Sequence, residues 1–244
     1  MGNVWWIMRR ELGRYLRQPT GYIILAASLL VAGILFNTWA TGLGEQRRLS
    51  SEVLESFFYF TSGLVIIASV FNAMRLIAEE KEQATLVLLA TSPVRDWQLV
   101  AGKFFAALTF LAVLLLCTSY MPALVMVNGK VSLGHIFAGY LGLLLIGAAS
   151  IAIGIACSAM ASSQLVAAFL GAAVIVVFIL FWLIAKVASP PVEGMLEYLS
   201  LHHKHFQPFM RGLVNTRDIV FYVSFSYLAL MVATRVLEAR RWRA

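Results

Sequence analysis

Six stretches of about twenty apolar residues leave this chain one workable environment, because a helix of about that length is what crosses roughly 30 Å of hydrocarbon. They are 21–40, 57–77, 104–127, 136–160, 165–188 and 219–237, with Pro122 near the far end of the third. Barrel strands are shorter, about 10 residues, and alternate in polarity. These stretches are longer and apolar all round, so helices are expected. Composition agrees. Hydrophobic residues make up 61% of the chain and charged residues 13%, where a soluble domain carries about 25% charged. Such a chain cannot cover its own surface with polar groups. The reading is an all-α polytopic membrane protein, one transmembrane domain spanning residues 1–244.

The net charge is +7. In a soluble chain that would raise nucleic acid as a partner. Here the basic residues flank apolar segments, so the partner implied is the lipid bilayer and not nucleic acid. With both termini placed inside, the inner side holds Arg9, Arg10, Arg14, Arg17, Arg75, Lys81, Arg95, Lys103, Arg235, Arg240, Arg241 and Arg243. The outer side holds Arg47, Arg48, Lys130, Lys186, Lys204, Arg211 and Arg217. The excess favours cytoplasmic termini, and an even number of spans agrees. The N-terminal region is too charged for a signal-peptide core, so the first span is expected to be retained. Cys117 and Cys157 both fall in apolar stretches and read as buried free thiols.

Three parts do not span. Residues 3–18 form a basic amphipathic stretch in which Val4, Trp5, Met8, Leu12, Tyr15 and Leu16 recur at helical spacing with arginines between them. Such a helix lies in the membrane interface, and Pro19 makes a corner before the first span. The second part is the loop region 78–103. It opens with Glu79, Glu80 and Glu82, continues into the apolar run from Leu86 to Leu89, and then offers Ser92-Pro93 as a helix N-cap with proline at the first helical position. A short helix with an exposed apolar edge either folds against its own bundle or docks a partner. The third part, 189–217, has apolar residues interrupted by Pro and Gly, a pattern of short interfacial helices on the outer side.

The loop residues carry a family resemblance. Glu80, Glu82, Thr85-Leu86, Leu88-Leu89, Ala90-Thr91, Pro93 and Gly102-Lys103 resemble the stretch of ABC-2-type permeases in which an acidic start precedes a Thr-Leu, Leu-Leu, Thr-Pro run ending in Gly-Lys. Ala84 stands where that family usually has Gly, and Ser92 is inserted before the proline. Arg10-Glu11-Leu12 with Pro19 resembles the family's amphipathic entry helix. Further on, Tyr198-Leu199-Ser200, His205-Phe206, Phe209, Gly212, Asn215-Thr216, Asp218 and Tyr222 are similar to the gliding-motility-type (GldF-like) permeases, and the nitrous-oxide-reductase maturation permease shares these features. Asn215 replaces a more common acidic residue.

The resemblance implies a cytoplasmic coupling helix seated in a groove of a separate ABC ATPase subunit, two copies of which would serve two copies of this chain. Glu79, Glu80, Glu82, Thr85, Leu86, Leu88, Leu89 and Pro93 would carry that coupling. Tyr198, His205, Phe206, Phe209 and Gly212 would belong to an external cap. It also implies a bacterial cytoplasmic (inner) membrane, with ATP and Mg on the partner ATPase and no cofactor in this chain.

Other sites are weak. Gly102-Lys103 is followed by Phe104 and lacks the spacing of a P-loop. His202, His203 and His205 cluster without a nearby Cys, which argues against a metal site. No Ser–His pair or buried carboxylate is visible within the spans, so an intramembrane enzyme and a proton-coupled carrier are both disfavoured. Ser150, Gly154, Ser158 and Ser162 form a small-residue stripe suited to helix packing, within the bundle or across a dimer. The expected function is a permease subunit driven by a separate ATPase. The alternative is a scaffold that passes ATP-driven motion to an envelope or auxiliary membrane protein without moving a solute. Leu88→Asp, which puts a charge on the apolar edge, is expected to reduce the yield of ATPase complex on gel filtration; an undiminished yield contradicts docking through that edge.

Overall fold

The computed structural model describes residues 2–40, 49–83, 95–129, 131–190 and 192–241. Among them are ten helices and no strand. In chain order these are α1 (Gly2–Arg17), α2 (Pro19–Ala40), α3 (Ser50–Glu82), α4 (Asp96–Thr118), α5 (Tyr120–Asn128), α6 (Leu133–Met160), α7 (Gln164–Ala185), α8 (Val192–Leu199), α9 (His203–Met210) and α10 (Thr216–Arg241). Among the described residues six spans are long and apolar enough to cross a membrane: α2, α3, α4 continued by α5, α6, α7 and α10. This is the all-helical, six-span architecture expected from the apolar stretches.

The helix ends depart from the apolar stretches for local reasons. At 33 residues, α3 is about 50 Å long at 1.5 Å per residue, well beyond the hydrocarbon core. It therefore takes in Glu79, Glu80 and Glu82, which the sequence places in a loop. The third span breaks at Ser119. Pro122 falls in the first turn of α5, where a missing N–H is tolerated, whereas a continuous helix would need that N–H for the ladder. At the start of α4, the Gln98 side chain accepts from the Arg95 N–H at 3.2 Å. The expected Ser92-Pro93 cap lies outside the described residues. Ser132 and Ser163 cap α6 and α7 by accepting from the N–H groups of His135 and Val166.

The core is built around α6. Of its apolar window 89% is buried, against 17% for α2 and for α7. α3 and α10 pack along it, with α4, α7 and α9 also in contact. Glycines let the neighbours approach. A Cβ at Gly139 would lie 2.2 Å from the Phe58 ring, and one at Gly147 would lie 2.2 Å from Leu111. A Cβ at Gly154 would lie 2.4 Å from that of Ala73. The small-residue stripe thus packs inward at Gly154 and at the buried Ser150 and Ser158. The Ser158 hydroxyl donates to the Met74 carbonyl at 2.9 Å and accepts from the Ala78 N–H at 2.9 Å. It bridges the two groups that face each other in the ladder of α3, tying the helices by hydrogen bonds as well as by shape. Of the two free cysteines, Cys157 is buried and Cys117 is exposed on its helix.

Close packing at Gly139 predicts a sign difference within α6. Gly139→Ala should destabilise the protein by about 1–3 kcal/mol through overpacking. Gly134→Ala, whose Cβ would meet only Ser132 Oγ at 4.0 Å, should be neutral or stabilising by up to about 1 kcal/mol from helix propensity. Thermal unfolding in detergent measures both.

Candidate functional site

The site at the α1 end starts from a lysine with no exposed side-chain surface. Lys103 sits in the second turn of α4, and its Nζ donates to the Leu76 carbonyl at 2.5 Å, to Glu80 at 2.7 Å and to Glu11 at 3.4 Å. A buried ammonium is tolerable only when paired and hydrogen-bonded. Three helices supply what it needs: α1 gives Glu11, α3 gives Glu80 and the Leu76 carbonyl, and α4 gives the lysine itself.

Around this centre the pairing spreads. Arg10 reaches Glu11 at 2.9 Å and Glu80 at 3.4 Å. Arg14 reaches Glu79 at 2.6 Å, and Arg75 reaches Glu79 at 3.3 Å. Arg75 also donates to Gln18 at 2.5 Å and to the Thr20 hydroxyl, so the turn between α1 and α2 is tied in. Three carboxylates therefore meet four cations. Burial by itself raises the Glu11 pKa, but Lys103, Arg10 and Arg14 together outweigh it and hold the carboxyl below its usual range. Glu11 stays ionised.

α1 sits flush because of its partners. Ile7, Glu11 and Tyr15 recur at i, i+4 and i+8 on the buried face. Gly102 admits Ile7, since a Cβ there would come within 2.7 Å of it. Tyr15 stacks on Phe110 with centroids 5.0 Å apart. The protein-facing stripe therefore differs from the apolar set read in the sequence, of which Trp5 and Leu16 are 60% and 64% exposed.

The last turn of α3 also holds α6 and α7. Lys81 donates to the carbonyls of Ser158 (3.2 Å), Ala159 (2.5 Å) and Ala161 (2.9 Å), a cation at the C-terminal end of α6. Glu82 accepts from the Gln164 N–H at 3.0 Å and from its side chain at 2.8 Å, a carboxylate at the start of α7. Glu79, Glu80, Lys81 and Glu82 thus reach into four helices besides their own. Of the residues expected to couple, Glu79, Glu80 and Glu82 come together here, and Thr85, Leu86, Leu88, Leu89 and Pro93 lie outside the described residues. Sequence reasoning missed Glu11, Arg14, Lys81 and the central role of Lys103. The signal available was Glu11 sharing a helical stripe with Ile7 and Tyr15.

The opposite end gathers the residues of the 189–217 region. His205 is buried, with Nδ1 2.7 Å from Asp218 and Nε2 donating to the Tyr198 carbonyl at 2.9 Å. Its ring stacks on Phe221 at 3.8 Å. Tyr222 donates to the Leu201 carbonyl at 2.6 Å. Phe206 and Phe209 are fully buried and close on Gly142 of α6. Gly212 has φ +80°, a left-handed conformation suited to glycine, and lies against His135, whose Nε2 donates to the Met210 carbonyl at 2.6 Å. These residues clamp α9 onto α6 and tie the end of α8, which packs on α7, to α9 and α10 through Tyr198. The three neighbouring histidines part company. His203 lies on Trp182, with Lys186 on the same ring, while His202 meets Ser62. Among the described residues no group of His, Cys, Asp or Glu is placed to hold a metal ion.

Ser62 and His202 form a pair that their separation hides in the sequence, with Oγ and Nε2 2.7 Å apart. The Ser62 hydroxyl has one proton and donates it to the Tyr59 carbonyl at 2.6 Å. His202 Nε2–H therefore donates to Ser62, the reverse of what activates a nucleophile. Burial first, and then His203, push the His202 pKa down to about 4, so the ring is neutral.

Residues 2–182 match the ABC-2 type transporter family. The chain belongs to that family, as the transmembrane, non-ATPase permease part of an ABC-type transporter. The match covers α1 through most of α7. Comparison with curated proteins finds no match.

His202 sets a pH dependence. Its folded pKa lies below the usual 6.5, so the unfolded chain takes up the proton first and stability falls as pH drops from about 6.5 towards 4. The loss is at most roughly 3 kcal/mol for a shift of this size. Amide protection across 200–210, corrected for the intrinsic slowing of exchange in acid, should fall over that window, and His202→Gln should remove that fall; protection unchanged between pH 7 and 4.5 contradicts the assignment.

Proposed function

We propose that two copies of this chain form the membrane pathway of an ABC exporter driven by two copies of a separate ABC ATPase. In this reading the chain lies in a bacterial cytoplasmic membrane with both termini inside. The observation that carries it is the buried charge network. It joins α1, α3 and α4 where the chain enters and leaves the 84–94 segment, the stretch that resembles a coupling helix.

The mechanism follows from rigidity. Thr85, Leu86, Leu88, Leu89 and Pro93 take the push of the ATPase, and Glu79, Glu80 and Glu82 pass it on. A displacement at the base of α3 cannot occur alone, because Glu79 and Glu80 hold α1 and α4 while Lys81 and Glu82 hold α6 and α7. ATP binding and hydrolysis on the partner then bias a two-state membrane element through differential contacts. ATP and Mg stay on the partner; this chain contributes position and force.

The clamped outer end favours a second reading, in which the complex works on an envelope or auxiliary membrane protein without moving a solute. Tyr198, His205, Phe206, Phe209 and Gly212 hold that cap in one shape, and they follow the pattern of the gliding-motility-type permeases.

Purification of the tagged chain in mild detergent tests the main reading. A stoichiometric co-purifying chain with a Walker A motif is expected, with ATPase activity that responds to a transported compound. ATPase activity that responds only to an envelope protein selects the second reading. Recovery of the chain without an ATPase, even after mild cross-linking, contradicts both.

A further inference from the structure

We infer that the outward basic face of α1 is a binding site for the phosphate headgroup of an anionic phospholipid. α1 has three faces at helical spacing. Ile7, Glu11 and Tyr15 are buried against the protein. Trp5 and Leu16 are exposed, with Met8 and Leu12 half-buried, and together they make an apolar flank. The third face carries Trp6, Arg9, Arg10, Gly13, Arg14 and Arg17 and borders an open cleft of about 800 Å³ that reaches Glu11 and, on α3, Glu80 and Gln83.

The charges on this face divide into two groups. Arg10 and Arg14 answer the carboxylates of the buried network. Arg9 and Arg17 make no ion pair among the described residues. They stand at i and i+8 on one row, with Gly13 midway, and a Cβ at Gly13 would meet nothing within 4 Å. Two free guanidinium groups therefore flank an open space two helical turns long. Arginine presents forked donors suited to a phosphate oxygen pair.

The placement points to a lipid. Arg17 is two residues from Pro19, the first residue of the spanning helix α2, so this row stands where a span enters the membrane. The apolar flank with Trp5 and Leu16 lies beside the arginine row, as an interfacial helix needs to take acyl chains and headgroups side by side. A free phosphate would use the arginines but not that flank. An acidic protein surface would meet the same charges without needing exposed apolar residues beside them.

The test titrates the full chain, purified in neutral detergent, with phosphatidylglycerol or phosphatidylcholine and reads bound lipid by native mass spectrometry. Phosphatidylglycerol is expected to bind at least about tenfold more tightly. Each arginine near an anionic surface contributes about fivefold, so Arg9→Gln with Arg17→Gln should weaken phosphatidylglycerol roughly 25-fold. Arg9→Lys with Arg17→Lys should keep most of the binding. Gly13→Leu, which leaves every charge in place and fills the open space, should weaken it several-fold. The two arginines carry no ion pair here, so gel-filtration profiles of the variants are expected to match the parent. Equal binding of the two lipids, or phosphatidylglycerol binding unmoved by Arg9→Gln with Arg17→Gln, overturns the proposal. Displacement of phosphatidylglycerol by millimolar inorganic phosphate overturns it in favour of a free-anion site. Lipid binding retained while a co-purifying protein is lost assigns the face to that protein instead.

Discussion

A lysine sealed from water governs the α1 end of this protein. Its ammonium group is held by Glu11, Glu80 and the Leu76 carbonyl, each from a helix other than its own. An ion that deep is costly unless its partners stay in place. The pairing thus acts as a constraint on α1, α3 and α4 together. Arg75 extends it to the base of α2 through Gln18 and Thr20. Where a hydrophobic contact would let α1 slide, the ion pairs fix its register against α3.

The two ends are built on different physics. At the α1 end, charged residues meet across several helices and leave a surplus of positive charge facing out. At the opposite end, aromatic packing and single hydrogen bonds close α9 over α6 and α8 over α7, with the buried His205–Asp218 pair inside. α3 and α6 run between the two, sharing glycine contacts and the Ser158 bridge. A motion imposed at the base of α3 has a continuous, closely packed route along this pair.

Much of the architecture was legible because membrane crossing imposes a length on apolar sequence, and six such lengths stand out. Helix ends were less legible. Apolarity marks the hydrocarbon boundary, but α3 continues to Glu82 because Glu79 and Glu80 find cations from α1, α3 and α4. The break at Ser119 could be argued from Pro122 only once its place in the first turn was known. The network itself was hidden, because Glu11, Glu80 and Lys103 are far apart in the chain and arginines beside apolar segments read first as topology signals. The contacts within the 189–217 region were not legible either. That Tyr222 holds the Leu201 carbonyl, or that Gly212 needs a left-handed backbone, depends on long-range packing that no local spacing encodes.

Lys103 and Glu80 act as one unit binding α3 to α4. A double-mutant cycle of Lys103→Met and Glu80→Gln, followed by thermal unfolding in detergent, tests it most directly. Each single change is expected to destabilise by about 3–5 kcal/mol, as removal of one buried partner does, and the double change to cost well under their sum. Additivity within about 0.5 kcal/mol would contradict it and leave the helices held by apolar packing alone.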